Sequence, residues 1–191
     1  NGAGRIGRAF YKLSQSFKEI EIVAINDLAD IENIAYLMKF DSAYGKSGFG
    51  VEVTPDKKTL LIAGKRVSYL SEKDPSLLPW GELDVDIVIE STGFFTSYEK
   101  ASAHIKAGAK RVVISAPSKD EAGSAVVTPT VLLGINEKDL ETCPVTSNAS
   151  CTTNATSPVI AILDEAIGID KAILSTVHGY TASQSLVDSP S

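Results

Sequence analysis

Short β-branched runs alternate with stretches whose apolar residues recur three and four positions apart. This alternation limits the chain to an α/β architecture more firmly than any composition figure. Glu21-Ile-Val-Ala-Ile-Asn26, Val85-Asp-Ile-Val-Ile-Glu90 and Arg111-Val-Val-Ile-Ser115 read as buried strands. Ile6, Phe10, Leu13 and Phe17 line one face of a helix before them. Ile31, Ile34, Ala35 and Met38 restore the helical period, with Asp30 as N-cap. Strands separated by helices pair in parallel and are covered on both faces, as in a doubly wound sheet.

The middle departs from this rhythm. Val51 to Val53, Thr59 to Ile62 and Lys65 to Tyr69 read as an antiparallel excursion, with Ala63-Gly64 as a tight turn. A loop follows from Asp74 to Gly81. Thr96 and Glu99 have capping-box spacing for a helix reaching about Ala107 and stopping at Gly108. Pro117 to Ala125 reads as a surface loop. Val131 to Ile135 and Val145 to Ser147 are expected strands. A helix from near Cys151 to Gly168 is expected to turn Val159, Ile160 and Leu163 inward, and Ala172 to Val177 is expected as a final strand. The chain opens on Asn1 in a loop motif, so the sheet's first strand is expected to lie outside it. Asp188-Ser-Pro-Ser191 looks equally unfinished.

Charge and cysteine usage remove several functions. A net charge of −6 argues against counterion-displacing contact with nucleic acid. No apolar run approaches the length of a membrane-spanning helix, and no membrane partner is expected. Two cysteines, Cys143 and Cys151, cannot staple 191 residues and read as free thiols of a reducing compartment, the cytoplasm.

Gly2-x-Gly4-x-x-Gly7 opens the first helix. Glycines there permit a tight turn, backbone approach to a pyrophosphate, and close packing of helix on strand. A glycine-rich turn without a ligand gives the same string. Asp27, twenty residues after Gly7, closes the next strand, where a carboxylate meets both hydroxyls of an adenosine ribose and repels a 2′-phosphate. Together they point to NAD. Cys151 stands at a helix start, where N–H groups and the dipole favour thiolate, although lone cysteines are commonly buried hydrophobes like Cys143. His178, 27 residues on, ends a strand and can approach that thiol as a base. His104 reads as a surface or half-buried residue. No Cys, His and carboxylate spacing suggests a metal site.

Several strings then carry a resemblance. Asn1-Gly-Ala-Gly-Arg-Ile-Gly-Arg8, Ile25-Asn-Asp-Leu28, Glu90-Ser-Thr-Gly93, Ile114-Ser-Ala-Pro117, Ser147-Asn-Ala-Ser-Cys-Thr-Thr-Asn154 and Thr176-Val-His-Gly-Tyr-Thr181 occur in this order. Together they resemble the phosphorylating glyceraldehyde-3-phosphate dehydrogenase family, along the whole chain. The resemblance implies a Rossmann-type NAD-binding domain over residues 1–147, lacking its first strand. It also implies the start of an incomplete α+β catalytic domain over residues 148–191.

It implies further a cytoplasmic homotetramer of glycolysis and gluconeogenesis that oxidises glyceraldehyde 3-phosphate with NAD and inorganic phosphate. In that scheme Cys151 is the nucleophile and His178 the base. Ser150, Thr152 and Thr181 hold phosphate groups. Gly2, Gly4, Arg5, Ile6, Gly7 and Asp27 hold the pyrophosphate and ribose, while Lys73, Thr92, Gly93 and Ser115 lie along the adenine and nicotinamide. Leu28 resembles NAD-specific members. Ala3 replaces a usual Phe, Ala155 a common second cysteine, and Gly179 and Ser183 vary within the histidine segment. Ending at Ser191, the chain lacks a phosphate-binding arginine of the family, so the 191 residues alone are expected to be inactive and prone to aggregate. Erythrose-4-phosphate dehydrogenase and a catalytically incomplete NAD-binding module are the competing readings.

Overall fold

The computed structural model describes residues 1–181 together with Gln184, Leu186 and Asp188. Ser183 and residues 189–191 lie outside the described residues. Helix α1 (Arg5–Ser14) leads to strand β1 (Ala24–Asn26) and helix α2 (Ile31–Lys39). The Asp30 side chain accepts from the N–H groups of Glu32 and Asn33, capping α2 as expected. After a two-residue ribbon, β2 (Phe40–Asp41) with β3 (Gly45–Lys46), come β4 (Val51–Val53), β5 (Thr59–Ile62) and β6 (Lys65–Leu70). These form a sheet in the order β1-β6-β5-β4, with β1 parallel to β6 and the other pairs antiparallel. Ala63 and Gly64, with φ of 52° and 79°, make the turn between β5 and β6.

A second, all-parallel sheet joins β7 (Ile87–Glu90), β8 (Arg111–Ile114) and β9 (Val145–Ser147). Helix α3 (Tyr98–Lys106) connects β7 to β8, and helix α4 (Cys151–Ile167) follows β9. Asn1 and Gly2 lie between the sheets. Asn1 N donates to Ile89 O at 2.9 Å, Ser91 N–H donates to Asn1 O at 2.8 Å, and Gly2 N–H donates to Asn26 O at 2.8 Å. The result is a Rossmann-type arrangement of mixed α/β content, with the carboxyl ends of β1 and β7 brought to one place.

Each sheet has its own core. Ile34, Met38, Leu60, Ile62 and Val67 pack the first; Trp80, Val88, Ala101, Val112 and Val145 pack the second. Fully burying one such aliphatic side chain stabilises by about 1.5–3 kcal/mol.

Several expectations need correction. Ile6 and Leu13 on α1, and Phe17 beyond its end, are exposed, and the helix instead buries Arg8, Tyr11 and Ser14. Tyr11 packs beside Phe49, and the Arg8 guanidinium donates to Ala3 O at 2.8 Å and Asp188 O at 2.9 Å. The cap of α3 is Ser97, whose hydroxyl accepts from Lys100 N–H, because Thr96 is buried with its carbonyl accepting from Lys119 N–H. Val131 to Ile135 forms no strand. One bridge joins Thr130 to Ser147, and the chain then turns, with Asn136 Oδ1 accepting from Leu132 N–H at 2.9 Å. Val159, Ile160 and Leu163 are exposed, and no residue of α4 is buried. Residues 172–177 have no strand partner among the described residues, so they form no strand.

Gly108 ends α3 at φ +105°, and a Cβ there would lie 2.6 Å from the Gly81 backbone. Gly64 also has positive φ but faces open space. Gly108→Ala is therefore expected to lower unfolding free energy by more than Gly64→Ala. The expected loss is about 1–3 kcal/mol from backbone strain, with the clash added. Urea unfolding of both variants checks the order.

Candidate active site

The glycine loop explains its own composition. Gly2 has φ +90°, and a Cβ there would sit 2.7 Å from Ser91 C and Thr92 N. A Cβ on Gly7 would meet Gly2 O at 2.0 Å, so helix and loop can touch only without side chains. Gly4, by contrast, faces open space, the position from which a phosphate can approach the backbone. Gly4 caps α1 without a side chain, and the first turn carries no acidic residue. The leading N–H groups, those of Arg5 and Ile6 among them, therefore have no acceptor within the helix.

Asp27 lies beside this loop. One carboxylate oxygen accepts from Ala3 N–H at 2.6 Å and the other from Ala29 N–H at 2.9 Å. A carboxylate offers about four acceptor positions, so two remain for a diol. The Arg5 guanidinium turns away from the loop toward Asp188, at 2.5 Å, and Asp41, at 3.4 Å. Its backbone, not its charge, is what Arg5 offers an anion. Thr92 and Gly93 form a turn directly after β7, with Gly93 at φ +78°. Ser115 N–H donates to Glu90 O at 2.9 Å, and its hydroxyl to Ser91 Oγ at 3.3 Å, so Ser115 stands next to that turn. Lys73 is exposed shortly after β6.

Beneath the loop lies a polar cluster that the sequence reading missed. His104 is fully buried, not half exposed. It contacts Glu90 Oε2 at 3.1 Å and accepts from Trp80 Nε1 at 2.9 Å. Burial pushes the Glu90 carboxyl up, but donors from His104, Thr92 and Asn1 outweigh it and hold it below its ordinary value. The available signal was strand alternation. Glu90 shares the inward face of β7 with Val88, and a carboxylate there requires buried partners.

The nucleophile candidate is placed by local hydrogen bonds. After β9 the chain bends at Ala149, φ +57°, and Ser150 caps α4 by accepting from Thr153 N–H at 3.1 Å. Cys151 is thereby the first residue of α4. The amide of Asn154 donates to Asn148 O at 2.7 Å and to Ser150 O at 2.9 Å, tying the bend together. Cys151 Sγ lies 3.0 Å from His178 Nε2, although His178 sits in an extended segment outside any sheet. His178 Nδ1 donates to Gly179 O at 2.6 Å, leaving Nε2 to take the thiol proton. The thiol is pulled below its ordinary value, first by His178 and further by Thr152 N–H. The imidazole is raised, first by the Gly179 carbonyl and then by Cys151.

A cleft of about 500 Å³ surrounds the pair, walled by Thr152, Thr156, Leu174 and Val177. Thr152 thus faces the thiol. The Ser150 hydroxyl is engaged with Thr153, and the Thr181 hydroxyl with Gln184 Oε1 at 3.0 Å. Cys143 is buried in the second core. Among the described residues no cluster of His, Cys, Asp and Glu could hold a metal, and no helix is long and apolar enough to cross a membrane.

A glycine-cradled helix start, with a carboxylate closing the neighbouring strand, defines a dinucleotide-binding domain of the Rossmann class. Residues 1–98 match the family model described as glyceraldehyde 3-phosphate dehydrogenase, NAD binding domain, and residues 150–191 match that of the C-terminal domain. The chain belongs to the glyceraldehyde-3-phosphate dehydrogenase family. It is 44% identical over its whole length to the cytosolic glyceraldehyde-3-phosphate dehydrogenase of Trypanosoma brucei brucei. It is 46% identical to the Streptomyces coelicolor glyceraldehyde-3-phosphate dehydrogenase, and 43% to glyceraldehyde-3-phosphate dehydrogenase B of Aspergillus oryzae. The chain spans about half the length of these relatives, 55% in each case. NAD is the cofactor of this domain, and the open backbone at Gly4 with the unsaturated carboxylate of Asp27 fits it.

Removing the imidazole removes the main cause of thiol acidification. Alkylation of Cys151 by iodoacetamide should therefore rise through an inflection below that of an ordinary thiol, and His178→Ala should move the inflection upward. A pH series of alkylation rates, read by mass spectrometry at Cys151, checks the direction.

Proposed function

We propose that the protein containing this chain oxidises and phosphorylates glyceraldehyde 3-phosphate to 1,3-bisphosphoglycerate, with NAD as oxidant and inorganic phosphate as acceptor. The observation that carries this reading is the Cys151–His178 pair, 3.0 Å apart at the start of α4, on a chain whose first part is a dinucleotide domain. His178 takes the thiol proton and passes it to the aldehyde oxygen as Cys151 attacks the carbonyl carbon, which gives a thiohemiacetal and returns the imidazole to its neutral form. His178 then accepts the proton of the thiohemiacetal hydroxyl as the carbon is oxidised, and a thioester on Cys151 results. NAD, when bound, supplies the two-electron oxidant. Phosphate attacks the thioester carbonyl and releases the thiolate, which closes the cycle.

Ser150, Thr152 and Thr181 offer hydroxyls to the phosphate groups. Gly2, Gly4, Arg5, Ile6 and Gly7 hold the pyrophosphate, and Asp27 the ribose. Lys73, Thr92, Gly93 and Ser115 line the remainder of the dinucleotide. The division of labour falls near residue 147, with the dinucleotide unit over 1–147 and the start of the catalytic unit over 148–191. We read the assembly as a homotetramer, and a cytoplasmic setting is in keeping with the names of the cytosolic relatives.

The test is NADH formation from glyceraldehyde 3-phosphate, NAD and phosphate, with erythrose 4-phosphate as a parallel substrate. Cys151→Ser should lower kcat by at least about 10³-fold, and His178→Asn by roughly 10²–10⁴-fold. A Cys151→Ser protein that turns over at the wild-type rate would refute the thioester route. Faster turnover of the tetrose would favour the erythrose reading.

A further inference from the structure

Glu90 and His104 are 1% and 0% exposed, and the chemistry proposed at Cys151 uses neither. Buried ionisable groups are costly unless their partners are fixed, and here the partners impose a direction. The Trp80 indole N–H can only donate, and it reaches His104 Nδ1 at 2.9 Å. Nδ1 must therefore present a lone pair, so Nε2 carries the proton and donates to Glu90 Oε2 at 3.1 Å. Asn1 Nδ2 donates to the same oxygen at 2.6 Å. Its amide cannot turn, because Asn26 Nδ2 donates to Asn1 Oδ1 at 2.6 Å. Asn26 is fixed in turn, donating to Glu72 O at 2.9 Å and accepting from Glu72 N–H at 2.8 Å. The other carboxylate oxygen, Oε1, accepts Thr92 N–H at 2.8 Å and the Thr92 hydroxyl. Four donors converge on Glu90, and it gives none.

Thr92 is where this matters. The Ser91–Thr92 peptide lies so close under Gly2 that a Cβ there would be 2.7 Å away. We propose that Glu90, oriented by His104 and Trp80, is a positioning residue that holds the Thr92–Gly93 turn against the Gly2 loop and so sets the affinity of the dinucleotide site. The inference rests on the dinucleotide reading given above. It carries a directional consequence for Glu90→Gln, whose amide introduces two donors. The side toward Oε2 is closed to them, because both the His104 proton and the Asn1 amide are fixed. The new NH₂ is driven toward Thr92, and the Thr92 N–H loses its acceptor.

The experiment measures NAD binding by calorimetry, melting temperature, and Cys151 alkylation rate in the protein carrying this chain. It compares wild type with Glu90→Gln, His104→Gln and His104→Leu. Glu90→Gln should bind NAD about tenfold more weakly with its alkylation rate unchanged. His104→Gln keeps both an acceptor for Trp80 and a donor for Glu90, and should bind within about twofold of wild type. His104→Leu has similar bulk and no donor, and should weaken binding as Glu90→Gln does. Equal affinities for His104→Gln and His104→Leu, or wild-type affinity for Glu90→Gln, would overturn the proposal. Should Glu90→Gln show no melting transition, the His104 pair decides on the same terms. Wild type that binds no NAD would remove the dinucleotide reading and this inference with it, whereas wild-type binding with indifferent variants overturns this inference alone.

Discussion

The bridge that Asn1 and Gly2 form between β1 and β7 sets the geometry of everything at the carboxyl ends of those strands. The two sheets have separate cores, and apolar packing is non-directional. Hydrogen bonds are directional, and the bridge uses them on both flanks, to Asn26 O on one side and to Ile89 O and Ser91 N–H on the other. Gly2 has no side chain to hold the Thr92 turn away, and Asp27 receives Ala3 N–H from the same loop. Loop, turn and carboxylate are thereby one rigid object assembled from three distant segments.

The second half of the site is built differently. No residue of α4 is buried, and Ile173 and Val177 are wholly exposed in the segment that leads to His178. What places Cys151 is local: the cap at Ser150, the Asn154 amide across the bend, and the contact with His178 itself. Among the described residues, these local contacts are what set the pairing. Thiol and imidazole each favour the other's charged form, and ionic strength weakens such pairs when both partners are in water.

Features governed by neighbours in sequence were legible in it. The Asp30 cap, the Ala63-Gly64 turn, the stop at Gly108 and the glycine spacing each depend on a few adjacent residues, and each has the expected form. Periodicity grouped Ile6, Leu13 and Phe17 on one face, and Val159, Ile160 and Leu163 likewise, but it cannot say what covers a face. In both helices that face is open among the described residues. Val131 to Ile135 has strand composition, yet Gly134 at φ +75° and the Asn136 side chain turn it back after a single bridge. The shift of the α3 cap from Thr96 to Ser97 follows from a tertiary hydrogen bond that local spacing does not encode. The burial of His104 is likewise a tertiary matter. Its polar neighbours in sequence say nothing of Trp80 and Glu90, which reach it from 24 and 14 residues away.

Ala149 gives Cys151 its setting at a cost in backbone conformation. A buried alanine at φ +57° is about 1–2 kcal/mol less comfortable than in an ordinary conformation. Glycine would relax that bend, but it would also widen the range of angles through which α4 can leave β9. The methyl group thus acts as a stop.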